Sequence, residues 1–276
     1  MKILNSYRIN QRREARLILK KLENINGKAL VVHYSCESFY RKAGYTPRVT
    51  GIGILNKENN ESIIFSLHLS AQILKKDISN LSNTDLNEVE KYMLDEFSRY
   101  VSSHMSYLWI HWNMRSASYG FQAISNRYRI LGGQEISIPD SNKIDLLQVF
   151  GKLFTYSFEA HKPCGQLLNL ANRNKISVRD ALPGADEAAA FEEKDYLKLH
   201  MSTMRKVEII DRLLTTYQCG KLKHNSKVRE IYDVTIPGVI MLVKESPFLL
   251  LIWTIIIFIF STALSPVIQR LFGTSR

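Results

Sequence analysis

Between Phe248 and Ile268 the chain reads FLLLIWTIIIFIFSTALSPVI, a run without a charged residue. An α-helix rises about 1.5 Å per residue, so a run of this length covers roughly 30 Å, the thickness of a bilayer's hydrocarbon core. Backbone amides in lipid must find partners inside their own segment, which selects a helix. Lys244, Glu245, Ser246 and Pro247 mark the start of the run, and Arg270 and Arg276 lie beyond its end. The competing reading is a buried core helix, but such helices rarely extend this far without a charge or a polar face. The expectation is one C-terminal membrane anchor behind a large soluble domain, with membrane lipid as a partner.

The 276 residues carry 37 Lys and Arg against 26 Asp and Glu, a formal net charge of +11. The roughly 230 residues before the run suffice for one domain with its own core. Their N-terminus, MKILNSYRINQRREARLILKK, has no apolar centre of signal-peptide type, so secretion is not expected. The excess of positive charge before the span favours a cytoplasmic domain, a rule that large domains follow loosely. It suits a nucleic acid or an anionic membrane surface. Arg8, Arg12, Arg13, Arg16, Lys20 and Lys21 crowd a short N-terminal helix and read as a solvated face. Lys221, Lys223, Lys227 and Arg229 precede the span and read as neighbours of the membrane surface. Cys36, Cys164 and Cys219 show no CxxC or CxxH spacing, so free buried thiols are expected and neither a metal nor another cofactor.

Four segments follow: a basic helix over 1–27, a main domain over 28–216, a basic linker with a short apolar helix over 217–246, and the span with its tail over 247–276. In the main domain Lys28–Tyr34, Pro47–Leu55, Ser62–Leu69 and Ser106–His111 read as strands, the second and third joined through NKENNE. Leu86, Val89, Met93, Phe97 and Tyr100 fall at three- and four-residue steps and predict a helix over Asp85–Ser102. A helix around Tyr119–Arg129 ends at Gly132-Gly133. Lys143–Phe158, Gly165–Asn172 and Lys194–Thr216 read as further helices separated by the turns KPCG and LPGADE. The fold class is α/β, a mixed sheet with flanking helices.

Several strings in this order resemble those of DEDD-type 3′–5′ exonucleases, over residues 28–216. That family implies a ribonuclease H-like fold and four carboxylates holding two metal ions, with a His as general base. Here the first strand ends at Ser35-Cys36-Glu37, where the family has Asp-x-Glu. WNMRSASYGF aligns through Tyr119-Gly120-Phe121 and leaves Ser118 at the second motif's Asp. Ile144-Asp145-Leu146 resembles an Asp-Thr-Leu segment, and Gln166–Ile176 resembles a Leu-rich helix. HMSTMRKVEIIDRLL supplies His200 and sets Arg205 at the last Asp. Of the four carboxylates the resemblance retains Glu37 alone, which implies a dead nuclease site that is not an enzyme. A guanidinium in such a groove binds phosphate without breaking it. Glu37 and Arg205 would also satisfy one another as an ion pair.

The nucleic-acid-binding candidates are therefore Tyr34, Ser35, Glu37, Trp112, Asn113, Arg115, Ser118, Tyr119, His200, Arg205 and Lys206. Phe39, Tyr40, Phe121, Arg127 and Arg129 add to an aromatic and cationic cluster suited to stacked bases and tracked phosphates. Trp112 and Arg115 are its expected exposed contacts. The plainer readings are that these aromatics are core, that Arg205 and Lys206 are a solvated face, and that His33 and His111 are core histidines.

One span per chain cannot enclose a pore, but several around an axis can. Thr254, Ser261, Thr262 and Ser265 are the run's polar side chains and would line a path or bond between helices. Pro266 would kink its far end, and Thr235–Val243 is too short to span. A dead nuclease-like domain on a membrane helix is similar to the channel effectors of Hailong anti-phage defence systems. That resemblance implies a homo-oligomer, a tetramer, whose cytoplasmic domain binds single-stranded DNA or another oligonucleotide made by a nucleotidyltransferase and whose channel the ligand closes. Two other functions remain open. One is a membrane-anchored, metal-dependent nuclease using Glu37, His200 and Asp145 or Asp211; the other is a tail-anchored scaffold that binds protein.

Overall fold

A computed structural model of the chain describes residues 6–24, 27–38 and 46–272, the last eight of these by their backbone alone. Phe39, Tyr40 and Arg276, and the side chains of Ser265, Pro266 and Arg270, lie outside that description. Two compact units result: Ala15–Asn225, and a smaller one taking in the chain up to Glu14 and from Ser226 onward. Helix α1 (Tyr7–Glu23) begins in the smaller unit and ends in the larger.

The larger unit is built on a five-stranded mixed sheet: β1 (Ala29–Cys36), β2 (Val49–Asn56), β3 (Glu61–Ser66), β4 (Leu108–His111) and β5 (Lys143–Asp145). Their order is β3-β2-β1-β4-β5. β2 runs antiparallel to both neighbours, whereas β1, β4 and β5 pair in parallel. All eight residues of β1 are buried, which demands cover on both faces. Leu30, Val32 and Tyr34 enter a core with Val89, Met93 and Phe97 of α3 (Asn83–Ser103). On the opposite face Ser35 and Gly53 meet α8 (Tyr196–Gln218) through Thr203 and Val207. Ser82 and Asp85 close a capping box that starts α3 where the three- and four-residue pattern begins.

Among the boundaries that differ from the sequence reading, three differ for a local reason. Leu67–Leu69 leave the third strand for α2 (Leu67–Ile73), because Ser66 accepts the Leu69 amide as a helix cap. Lys143–Asp145 form β5 rather than a helical turn, and Asp145 then caps α5 (Leu146–Phe154) through the Leu147 amide. LPGADE is the entry to α7 (Gly184–Glu192) and not a plain turn. The remaining α-helices of this unit are α4 (Phe121–Ile130) and α6 (Gln166–Arg173). Among the cysteines only Cys36 is buried; Cys164 is partly exposed and Cys219 exposed, which corrects the expectation of three buried thiols.

The smaller unit holds α9 (Val228–Tyr232), α10 (Ile236–Glu245) and α11 (Pro247–Phe272). Pro247–Leu264 has a mean hydropathy of 2.4 and no buried residue, so α11 is long and apolar enough to cross a membrane as a single-pass anchor. Arg12 does not belong to a solvated face. It is buried, its guanidinium 2.6 Å from Glu245 at the end of α10 and 4.7 Å from the centre of the Tyr232 ring. Arg13, Arg16, Lys20 and Lys21 are exposed, as are Lys221, Lys223, Lys227 and Arg229.

Candidate functional site

A cleft of about 790 Å³ opens in the larger unit at the C-terminal ends of β1 and β4. Its walls are the β1 end (His33 to Ser38), the turn after β4 (Trp112, Asn113, Tyr119), the start of α6, the start of α7, and Lys206 on α8. The volume lies in the range of small-ligand sites. Leu147, Pro163, Leu167, Leu168, Leu182 and Ala188 make much of its surface apolar.

Position along each element decides which side chains arrive there. Ser35 is locked in a row of hydroxyls, 2.8 Å from Thr50 Oγ1 and 2.7 Å from Thr203 Oγ1. Thr203 donates its proton to the Leu199 carbonyl, so Ser35 donates to Thr203 and accepts from Thr50. Glu37 accepts the Arg48 amide at 2.8 Å. Lys206 Nζ lies 2.7 Å from Glu187 Oε1, which also accepts the Ser202 hydroxyl at 2.7 Å. His33 Nδ1 is buried and makes no hydrogen bond. Burial, reinforced by the Lys206 charge, holds the His33 imidazole well below its usual pKa and therefore neutral at pH 7. Burial pushes the Cys36 thiol up, with Glu187 and Glu37 adding to the effect, so it is no nucleophile at neutral pH.

The turn after β4 depends on one glycine. Gly120 has φ of +151°, and a Cβ there would lie 2.3 Å from the Met114 carbonyl oxygen. The turn brings Tyr119 onto Tyr34, ring centres 4.6 Å apart, and the Tyr119 hydroxyl donates to the Tyr34 carbonyl. The Tyr34 hydroxyl in turn accepts the Gly120 amide.

Of the sequence candidates, Tyr34, Ser35, Glu37, Trp112, Asn113, Tyr119 and Lys206 line the cleft; Arg115, Ser118, His200 and Arg205 do not. Arg205 pairs with Glu208 one turn along α8 at 2.7 Å, which replaces the expected pair with Glu37. The next residue, 100° around the helix, faces the cleft instead. His200 Nδ1 lies 3.0 Å from the Ser66 hydroxyl, and burial lowers its pKa, helped by His68. Ser118 is exposed beside Ser116. Arg115 is exposed, with Nε 3.1 Å from Asp145 Oδ2. Trp112 is not the exposed platform expected: it is only 6% exposed, packed edge-on against Phe150 and Phe158. Arg127 is buried against Glu90, whereas Arg129 is exposed. Asp211 pairs with Lys57, so Glu37, Asp145, His200 and Asp211 occupy four separate settings rather than one centre. His111 is a core histidine whose Nδ1 accepts the Met114 amide; burial carries its pKa down to about 3, with Lys143 and Arg115 adding.

Among the described residues no three His, Cys, Asp or Glu side chains stand close enough to hold a metal ion together. Sequence reasoning missed His33 as a wall of the cleft and missed Glu187, the carboxylate that holds Lys206. The available signal was Pro183-Gly184 followed by Asp186 and Glu187, an acidic first turn. In α11, Thr254, Ser261 and Thr262 donate to carbonyls of their own helix and are exposed. No family model matches the chain, and no curated protein or solved structure does.

Proposed function

We propose that this protein is a membrane effector of bacterial anti-phage defence that binds single-stranded DNA or another oligonucleotide through a dead exonuclease-like cleft. The single observation behind this reading is the pairing at the cleft's base. The resemblance sets Arg205 at the last metal-binding carboxylate, but it is the adjoining Lys206 of α8 that reaches the cleft, its ammonium already neutralising Glu187. A fixed cation there opposes assembly of two divalent ions. It leaves protons on Nζ for a phosphate oxygen. Tyr119 and the leucines supply apolar surface for a base.

The effector sits in the inner membrane through α11, with its α/β domain in the cytoplasm. Several copies, four by the Hailong resemblance, surround a channel lined from Thr254, Ser261, Thr262 and Ser265, and bound oligonucleotide from a partner nucleotidyltransferase keeps it closed. A ligand that favours the closed state by about 5.5 kcal/mol carries a two-state equilibrium from 1:99 to 99:1. The test is the full chain in liposomes. Ion leak that is suppressed by a short single-stranded DNA, with the DNA recovered intact in magnesium, is the expected result. DNA shortened in magnesium would make the protein a nuclease. No leak and no DNA binding would leave the protein-binding scaffold.

A further inference from the structure

Two helices begin at the wall of the cleft, and neither is capped by a side chain. The residue before α6 is Gly165 and the residue before α7 is Pro183, so neither supplies an oxygen to the first-turn amides. Gly165, Gln166, Leu167, Pro183, Gly184 and Ala185 all line the same cavity. Open helix N-termini gather N–H groups and partial positive charge, which together suit an anion. A helix start alone is common; the second observation is His33, 5% exposed and lining the same cavity from the end of β1, with a ring nitrogen that has no partner. An unpaired buried polar atom is costly, and a ligand that bonds it relieves the cost.

We infer that the starts of α6 and α7, with Lys206 and His33, form an anion subsite that takes a phosphodiester group of the ligand. The inference rests on the oligonucleotide reading of the cleft and specifies its chemistry. Two carboxylates share the cavity, and they set how much charge it accepts. Glu187 is matched by Lys206 and Ser202, and Glu37 is held by the Arg48 amide. Their presence favours a singly charged diester over a doubly charged terminal phosphate.

Gly184 gives a clean test. It is the first residue of α7, and a side chain there would meet nothing within 4 Å. Gly184→Asp adds a negative charge at the helix start, where it stabilises the helix itself but opposes an anion; Gly184→Asn has the same size without the charge. The full chain in detergent is titrated with a short single-stranded DNA and with its uncharged methylphosphonate analogue. The expected result is that Gly184→Asp weakens DNA binding about tenfold or more and barely alters analogue binding. Gly184→Asn stays within about threefold for both. Gly184→Asp binding DNA as tightly as wild type overturns the subsite while the oligonucleotide reading stands. If no oligonucleotide binds, that reading falls, and dimethyl phosphate then decides the subsite. Thermal stabilisation of wild type but not of Gly184→Asp upholds it, and equal response of the two overturns it.

Discussion

Two buried glutamates in the larger unit sit in opposite circumstances. Glu90, on α3, is fully buried and receives Arg48 at 2.7 Å, Arg127 at 2.8 Å and the Val49 amide at 2.8 Å. Arg127 further bonds Asn87. Glu187, on α7, has one ammonium and one hydroxyl, beside an imidazole nitrogen with no partner and two helix starts with no side-chain cap. The first network ties β2, α3 and α4 together and leaves little for a ligand to do. The second keeps donors unspent beside an open cleft. Saturated polar clusters serve the fold, and unsaturated ones next to a cavity mark where something else binds.

Breaking each cluster tests the contrast, and the largest effect belongs to the saturated one. Glu90→Ala strands two buried guanidiniums and is expected to cost about 3–5 kcal/mol of stability by denaturant unfolding. A loss below about 1 kcal/mol would mean that the network does not hold the sheet. Lys206→Met is expected to lower oligonucleotide affinity about tenfold or more. Its stability cost should be the smaller of the two, since Ser202 still donates to Glu187. Equal stability losses in the two variants would erase the distinction.

Acid sharpens it next. His33 and His111 are held neutral by burial, so the unfolded chain takes up protons below about pH 6.5 that the fold refuses. Stability is complete above that pH and falls as pH decreases, by up to about 1.4 kcal/mol per unit for each histidine. For His111 the decline continues to about pH 3. His111→Gln should flatten the slope between pH 6.5 and 5, measured by thermal unfolding; an unchanged slope contradicts the assignment. The smallest effect is expected from Arg205→Ala. Its partner Glu208 is one turn away and well exposed, so removal should cost at most about 0.5 kcal/mol and change oligonucleotide affinity less than about twofold.

The neighbours Arg205 and Lys206 also show how far the sequence was legible. Counting five residues from His200 picks out Arg205. The phase of α8, with Leu199, Ser202, Thr203, Val207 and Ile210 buried, carries Lys206 inward instead, and that phase was readable. The strands β1, β2 and β4 and the long helix α3 announce themselves by β-branched runs or by strict three- and four-residue steps. β5 is only three residues long, and its Asp145 serves as a helix cap, so its sequence looks helical. The long apolar helix α11 is legible because an uncharged run of that length leaves few alternatives to a helix able to cross a membrane. Glu90 was not legible at all: a Glu within an amphipathic helix reads as solvent-facing until the partners from β2 and α4 are placed around it.

Hydrogen exchange on the full chain in detergent, with and without a saturating short single-stranded DNA in EDTA, tests the contrast most directly. Slowed exchange is expected in peptides covering residues 161–168 and 182–188, with residues 83–103 around Glu90 unchanged. Protection confined to 83–103, or none at 161–168 and 182–188 despite bound DNA, would contradict it.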